Sequence, residues 1–541
     1  MFAEVYPLAR LPRRFKAFDY AVPEGMVVSC GSFVMIPLRG KSVVGIVKAV
    51  KQEAPSGIKT KPIMSVLPAS VTQRELAVYE GLASDLVQSV SSVLDAVIPT
   101  PPKRLRELPL TKGEYEGVSR SSLTIPSDYA QDVTETVRFI QARPGCFVRS
   151  PDLRHSAAVI ATYRRSRPGP VRVAAPNVRD ALLLHAALEG ELLTGEETNN
   201  ARFNAWQEFR NAKDGLLVGT RLVSMLEHKD GSNLFLVRSG HENHHQADRN
   251  PRYDSRRSGQ QWMRHGGRLV CLDAFPRPDD VHVFGDAVRC PPIGEVRAVG
   301  MEGRETWTHP FVSPPVFEAV QDAMESGERV LLAFNRKGMA RVLTCRGCGW
   351  TIPLSGAEPP RFCDSCHSRD FEQRGYGTRA IAKAFQGAFP GASVAVCEKG
   401  EATTDARIVV ATKHYLENIF DPFRPESFAL VADLDADSGL ADRSFRAQEK
   451  TVRTAADWHG VARTSRAQFL LQTATPGLFS GAFHDPVAAM TQELENRRSY
   501  GLEPSVRWIT VDGQERAIPD GIPAELRSLP DSVVIDTNAF S

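Results

Sequence analysis

The period of the apolar positions changes along this chain, and each change marks a different kind of element. Over residues 1–68 apolar and polar positions alternate in short runs, DYAVP, GSFVMIPL and KSVVGIVKAV, broken by Gly and Pro. That pattern predicts a small β-barrel or sandwich. Between 70 and 98 the spacing turns helical (Leu76, Tyr79, Leu82, Leu86, Val90) until Pro99, Pro101 and Pro102 end it, and 103–125 reads as a linker. From about 126, near-continuous apolar runs (CFVRS, VRVAAP, GLLVGTR, NLFLV, RLVCLDAF) are separated by helical stretches such as NVRDALLLHAALEG and ARFNAWQEFRNAKD. Strands apolar on both faces that alternate with helices predict a parallel sheet covered on both sides. A second α/β unit opens near 313, with Ser313 as N-cap and proline in the first turn, and continues through ERVLLAF, SVAVC, RIVVAT, FALVADLD and QFLLQT. Beyond 479 the pattern is less regular.

Composition changes this picture little. A length of 541 residues suggests several domains at roughly 100–200 residues each. The formal charge of +2 is uneven, because residues 1–120 hold 16 Lys/Arg against 11 Asp/Glu. A basic N-terminal module suits a polyanion, although so small an excess also suits an ordinary solvated face. The N-terminal MFAEVYPLARLPRRF lacks the apolar core of a signal peptide, and no apolar run approaches ~20 residues. The expectation is a cytoplasmic protein with no membrane segment, in which clustered cysteines mean metal.

One such cluster interrupts the second α/β unit. Cys345 and Cys348 form a C-x2-C knuckle, and Cys363 and Cys366 form another after fourteen intervening residues. Two knuckles can close four thiolates around one tetrahedral Zn²⁺ at about 2.3 Å per bond. With no position left for water, that zinc is expected to be structural. Trp350 is expected to pack against this module. A second metal pattern, His241-Glu242-Asn243-His244-His245, satisfies the H-E-x-x-H signature of zinc peptidases. It directly follows a strand, with Gly240 before it and Pro251 soon after, so a solvated loop is expected instead.

The tandem α/β units, the cysteine insertion and the β-rich N-terminal module together resemble the bacterial primosomal PriA family, superfamily-2 helicases that restart stalled replication forks. The likeness covers about residues 1–510. FDYAVPEGM at 18–26 is similar to the family's 3′-end-binding domain, LLVGTR at 216–221 to a DNA-contact motif of the first lobe, and PRYDSR at 251–256 to the segment after the family's DEEH box. NRKG at 335–338, GYGT at 375–378 and DADSGLADRSFRAQEKT at 435–451 are similar to the second lobe, and ELENRRSYGLEP at 493–504 to the start of the C-terminal domain.

The resemblance implies an α/β fold with a small β-rich N-terminal DNA-binding domain (1–68), a reduced winged-helix and linker region (69–125) and two RecA-like helicase lobes with parallel sheets (126–285, and 286–344 with 373–478). It adds a four-cysteine zinc-ribbon insertion in the second lobe (345–372) and a shortened C-terminal domain (479–541). Phe18, Asp19, Gly40 and Lys61 fall where the family holds the terminal nucleotide of a 3′ end. An aromatic face can stack on a base, a carboxylate can accept from a 3′-OH and a lysine can pair with phosphate. Thr220 and Arg221 belong to the lobe-1 DNA motif. The family usually carries eight cysteines for two zincs, whereas this chain keeps the outer pairs alone, which implies one zinc. The threonine of GYGT is expected to cap the helix that begins near Arg379.

The ATPase motifs depart from the family. Its Walker A segment corresponds to Arg149-Ser150-Pro151-Asp152-Leu153-Arg154-His155-Ser156. A phosphate cradle needs glycines whose N–H groups converge on the anion, and a lysine. Here Pro151 removes an N–H, Asp152 adds a like charge and His155 stands in place of the lysine. The DEEH box corresponds to Arg238-Ser239-Gly240-His241, which removes both the Mg²⁺ carboxylate and the glutamate that poises water. Arg463 and Arg466 still match the arginine-finger motif. The resulting expectation is a replication restart protein that recognises stalled forks and promotes primosome assembly and replicative-helicase loading without its own helicase activity. Its partners would be forked and single-stranded DNA, the loading machinery and the single-strand-binding protein; one Zn²⁺ is expected, and ATP and Mg²⁺ are not. The alternatives are an active ATP-dependent 3′–5′ helicase with a non-standard nucleotide site, and a zinc peptidase at 241–245.

Overall fold

A computed structural model describes residues 1–53, 60–101, 127–294, 296–303, 307, 309, 311–335, 342–353, 361–374, 377–399, 405–518 and 522–538. The chain forms two compact units, one of residues 1–149, 153–289 and 491–541, the other of 150–152 and 290–490.

The first unit begins with strands β1 (Phe2–Pro7), β2 (Phe18–Ala21), β3 (Ser32–Leu38), β4 (Lys41–Lys51), β5 (Lys61–Pro62) and β6 (Ser65–Ser70). They pair in the order β5-β2-β1-β4-β3-β6, and all pairs are antiparallel except β2 with β5. Alternation along these strands turns Ala3, Val5, Tyr20, Val34, Ile36 and Val47 into one buried face. The β3–β4 hairpin turns through Arg39 (φ 49°) and Gly40 (φ 78°). Two successive positive φ values are what a two-residue hairpin of matching twist requires.

The helical pattern of 70–98 resolves into two helices, α1 (Gln73–Asp85) and α2 (Val90–Val97). Thr72 and Glu75 form a reciprocal capping box at the start of α1, and Ser89 accepts from the Ser92 N–H to open α2. Periodicity continues across the break because Leu86 and Val87 remain buried. The Glu75 carboxylate also meets Arg210 at 2.5 Å, and the Tyr79 hydroxyl donates to the Met225 carbonyl at 2.8 Å. These contacts lock α1 onto the following α/β layer. The linker expected at 103–125 lies outside the described residues.

That layer contains α3 (Ser127–Gln141), β7 (Gly145–Arg149), α4 (Leu153–Ser166), β8 (Val171–Ala174), α5 (Val178–Leu188), β9 (Glu191–Leu193), α6 (Asn199–Asn211), β10 (Leu216–Gly219), β11 (Asn233–Val237), α7 (Ser255–Arg264), β12 (Arg268–Asp273), α8 (Pro278–Phe284) and β13 (Val288–Arg289). The seven strands form a parallel sheet ordered β13-β7-β12-β11-β8-β10-β9. Each predicted strand is present; the short edge strands β9 and β13 had no apolar run to reveal them.

The second unit holds β14 (Arg297–Gly300), α9 (Pro314–Glu325), β15 (Val330–Ala333), β16 (Val342–Cys345), β17 (Thr351–Pro353), β18 (Phe371–Arg374), α10 (Thr378–Ala388), β19 (Val394–Cys397), β20 (Ile408–Ala411), α11 (Lys413–Asn418), β21 (Leu430–Asp433), α12 (Ala447–Ser465), β22 (Gln468–Thr473) and α13 (Pro476–His484). Its parallel sheet runs β14-β22-β21-β15-β20-β19. Strands such as Val330–Ala333 are buried throughout, and full burial contributes about 1.5–3 kcal/mol per large aliphatic side chain. Ser313 stands at the N-cap of α9 as expected, yet its hydroxyl makes no cap bond. Strands β16, β17 and β18 form a separate antiparallel sheet around the cysteines.

Helix α14 (Pro486–Ser499) leads to β23 (Arg507–Val511), β24 (Gln514–Ile518) and β25 (Ile535–Asp536), an antiparallel sheet with its own small core of Ile509, Val511, Ile518, Leu526 and Ile535 joined by Val87. Among the described residues, no helix is long and apolar enough to cross a membrane.

Candidate nucleic-acid, nucleotide and metal sites

Phe18 and Asp19 are neighbours on β2 and therefore point to opposite faces. Phe18 leans on the sheet core and stacks on Phe15, with ring centroids 5.8 Å apart and planes 25° apart. Asp19 faces outward beside Lys51 at 3.4 Å, and Lys51 also pairs with Glu4 at 3.1 Å. Lys61 is exposed on β5, directly opposite Tyr20 in register. Gly40 sits at the exposed hairpin tip, and the Tyr20 hydroxyl donates to the Pro37 carbonyl at 3.3 Å near the base of that hairpin. The sheet thus sets Phe18, Asp19 and Lys61 next to Tyr20 without placing Phe18 and Asp19 on one surface, and holds Gly40 at the tip of the hairpin whose base Tyr20 touches. Sequence reasoning passed over Arg14 and Phe15, although R-R-F-K just before Phe18 interleaves basic and aromatic residues. The Thr220 hydroxyl donates to the Thr194 carbonyl at 2.6 Å, and Arg221 lies 3.5 Å from Asp248.

The Walker A positions occupy the β7–α4 connection, the place a phosphate cradle needs. Their side chains point elsewhere. Arg149 is buried, donates to the Ala274 carbonyl at 3.2 Å and lies 5.9 Å from the Phe275 ring centre. Asp152 accepts from the Thr464 hydroxyl at 3.0 Å, and a Cβ on Gly460 of α12 would stand 2.4 Å from the Pro151 oxygen. His155 is buried, with Nε2 2.9 Å from Asp132 Oδ2 and its ring edge-on to Tyr129. Burial pushes the Asp132 carboxyl up, but His155 and Arg289 outweigh it and hold it below the usual carboxylate range. Ser156 is buried in the first turn of α4. Nothing in the sequence signalled Asp132 or Arg289 as neighbours of this loop; α3 and β13 bring them there.

At the DEEH positions, Arg238 turns through φ 50° and pairs with Asp180 of α5 at 3.0 Å. Burial raises the Asp180 carboxyl despite this partner. The Gly240 N–H donates to Asp273 Oδ2 at 2.6 Å. Residues 241–245 form no α-helix, only one tight 3-10 turn over Glu242–His244. The solvated-loop expectation is corrected here, because His241 and His244 are buried. His244 Nε2 lies 3.0 Å from the Val237 carbonyl, and burial lowers its pKa to about 4. His245 sits 3.3 Å from Asp536. These side chains do not converge as peptidase ligands must.

In the second unit, Arg463 lies in the last turn of α12 and Arg466 is its exposed left-handed C-cap at φ 58°. Thr378 is the first residue of α10 rather than its cap; Gly377 is the N-cap, and the threonine hydroxyl bonds Glu398. Arg336, Lys337 and Gly338 of NRKG and Gly375 and Tyr376 of GYGT lie outside the described residues. Asp433 is buried at the end of β21, and burial, with Asp435 and Asp437 nearby, raises its pKa to about 7.

The four clustered cysteines converge. Their sulfurs all lie within 4.8 Å of one another, with Cys345–Cys366 at 3.4 Å and Cys348–Cys363 at 3.5 Å. Zn–S bonds of about 2.3 Å at tetrahedral angles need sulfurs about 3.8 Å apart, so this donor set fits one Zn²⁺. The knuckles are closed by Gly349 N–H to the Cys345 carbonyl at 2.8 Å and His367 N–H to the Cys363 carbonyl at 2.8 Å. Desolvation, the largest single effect, pushes the Cys345 thiol up, but the backbone amides of Cys348 and Gly347 and the Cys366 and Cys363 thiols together draw it down to about 6, favouring the thiolate a metal needs. Trp350 is half-buried, and its carbonyl accepts from the Cys345 N–H at 2.8 Å. Among the described residues this is the one group of three or more His, Cys, Asp or Glu side chains that could hold a metal.

Residues 8–99 match the family model of the PriA 3′ DNA-binding domain, a span that includes most of the N-terminal sheet with α1 and α2. Replication restart protein PriA of Rickettsia conorii is 20% identical over 91% of this chain and 84% of its own length. The PriA protein of Treponema pallidum is 23% identical over 88% and 81%. A solved structure of RecG bound to a three-way DNA junction superposes at TM-score 0.36 with 11% identity over 70% of this chain and 48% of that one, too loosely to carry weight. The chain is thus similar to PriA proteins over most of its length, and its N-terminal residues match the 3′ DNA-binding domain of that family.

Proposed function

We propose that the protein is a replication-restart factor that binds forked DNA, engages 3′ ends through its N-terminal sheet and recruits the helicase-loading machinery, with no working motor of its own. The match of residues 8–99 to a 3′ DNA-binding domain carries the DNA-binding part of this reading. Loss of the motor rests on chemistry at the β7–α4 connection. His155 is drawn to Asp132 rather than free to reach a phosphate, and Arg238, which cannot ligate Mg²⁺, is drawn to Asp180. On this reading the domains are 1–68, 69–125, 126–285, 286–344 with 373–478, 345–372 and 479–541, and the cysteine module holds one structural zinc.

A DNA-stimulated ATP-hydrolysis assay tests the motor; no turnover above background is expected. Turnover at ordinary helicase rates that co-purifies with the chain would instead favour the second reading, an active 3′–5′ helicase with a non-standard nucleotide site. Retention of both parallel sheets and similarity to PriA proteins over most of their length favour that reading. The 3′-end assignment is tested separately. Asp19→Ala should reduce the preference for forks with a free 3′-OH over 3′-phosphorylated forks, with little change in salt dependence. Lys61→Ala should weaken all DNA binding and lower the salt slope by about one contact. Equal binding of both fork types by the wild-type protein would remove the assignment.

A further inference from the structure

The turn just before β2 is held from both sides. The Leu11 N–H donates to Ser92 Oγ at 3.0 Å, and the Leu11 carbonyl accepts from the Ser89 and Ser92 hydroxyls at 3.0 Å each. Arg13 is buried; its N–H donates to Asp531 Oδ1 at 3.0 Å, and its guanidinium donates to the Pro530 carbonyl at 3.3 Å and to that of Val533. The Phe15 N–H closes the turn on the Pro12 carbonyl at 2.9 Å. Between these anchors Arg14 and Lys16 project into solvent, and neither has an acidic partner among the described residues. The Arg14 guanidinium lies 5.6 Å from the centre of the Phe15 ring, while Phe15 itself stacks on Phe18.

Phe18 therefore has the sheet core on one side and Phe15 against it, whereas Phe15 is only partly buried and carries the exposed Arg14 side chain over its ring. We propose that Phe15, backed by Phe18 and flanked by Arg14 and Lys16, is a stacking ledge for a nucleobase of single-stranded DNA next to a 3′ end. Arg14 and Lys16 meet the adjoining phosphates. An aromatic face binds any base, and a cation beside it neutralises the backbone. A guanidinium at cation–π distance can stack on the arriving base or bond its phosphate. Because the turn is already anchored, ordering it on binding costs little. The ledge rests on the 3′-end reading above.

The experiment uses the full chain and forks carrying 2-aminopurine near the 3′ end, with binding followed by anisotropy across a salt series. Phe15→Ala should weaken binding of 3′-tailed forks about tenfold, within the range for one stacked base, and should abolish quenching of the 2-aminopurine, which Phe15→Trp should keep. Arg14→Ala, at an exposed position that leaves the fold intact, should lower the salt slope by about one contact. Phe15→Ala with wild-type affinity and wild-type quenching overturns the ledge while leaving the 3′-end reading standing. Wild-type protein that binds 3′-tailed and 5′-tailed forks alike overturns both.

Discussion

The cysteine cluster and the β7–α4 connection are both positions where a motif predicts a bound group, and the structure treats them oppositely. Around 345–366 the four sulfurs face one another, and Cys345 takes hydrogen bonds from nearby backbone amides. At 149–156 and 238 each changed residue has found a protein partner: Arg149 a carbonyl, Asp152 a hydroxyl, His155 and Arg238 a buried or half-buried carboxylate. A site awaiting a ligand keeps its polar atoms convergent. Polar atoms that point elsewhere are satisfied by the protein itself, because an unpaired buried polar group costs about 1–3 kcal/mol.

Metal removal should give the largest effect. Structural zinc contributes about 10–16 kcal/mol of apparent folding free energy in small modules, so chelation should unfold 342–374. Elemental analysis should find one zinc per chain, and Cys345→Ser with Cys366→Ser should abolish it while opening the module to protease. A second zinc, or zinc retained by that double variant, would mean that convergence was misread at this cluster.

The next test breaks the internal pairing. Arg238→Ala leaves Asp180 buried without its partner and should cost about 3–5 kcal/mol in denaturant unfolding, whereas Arg238→Leu with Asp180→Leu should recover much of it. A neutral Arg238→Ala would show that the arginine is not part of a rewired core.

A smaller effect comes from pH. The buried His244 has its pKa lowered to about 4 from an ordinary 6.5, so it contributes stability that is fully present above pH 6.5 and is lost as pH falls towards 4. Between pH 7 and 5 the loss should be about 2 kcal/mol, and His244→Gln should flatten it. Asp433 in the second unit runs the other way. Its pKa is raised to about 7, so its contribution is present below pH 3.8 and is lost as pH rises through 7. Denaturant midpoints for the two units should therefore shift in opposite directions with pH; a shared slope would contradict both assignments.

Much of this was legible beforehand, for identifiable reasons. Strands such as Leu216–Gly219 and Leu430–Asp433 are buried on both faces, so their apolar runs stand out from the helices around them. The convergent cysteines were legible because the two C-x2-C pairs are local in sequence. The edge strands β9 and β13 were not, because edges need no apolar run. The helix break at Val87–Ser89 was hidden by side chains that stay buried across it, and the burial of His241 and His244 was hidden by their polar character.

By itself the sequence determined the alternation of elements, the paired spacing of the four clustered cysteines and which side chains stand at 149–156 and 238, since these depend on residue identity and short spacing. Only the tertiary structure decided what the substituted residues do instead. Asp132, Asp180 and Thr464 reach His155, Arg238 and Asp152 from distant segments, and Ser89, Ser92 and residues 530–533 anchor the turn that presents Phe15. Such partners are chosen by packing across large sequence separations, where a buried charge must be paired by whatever group the fold brings within reach.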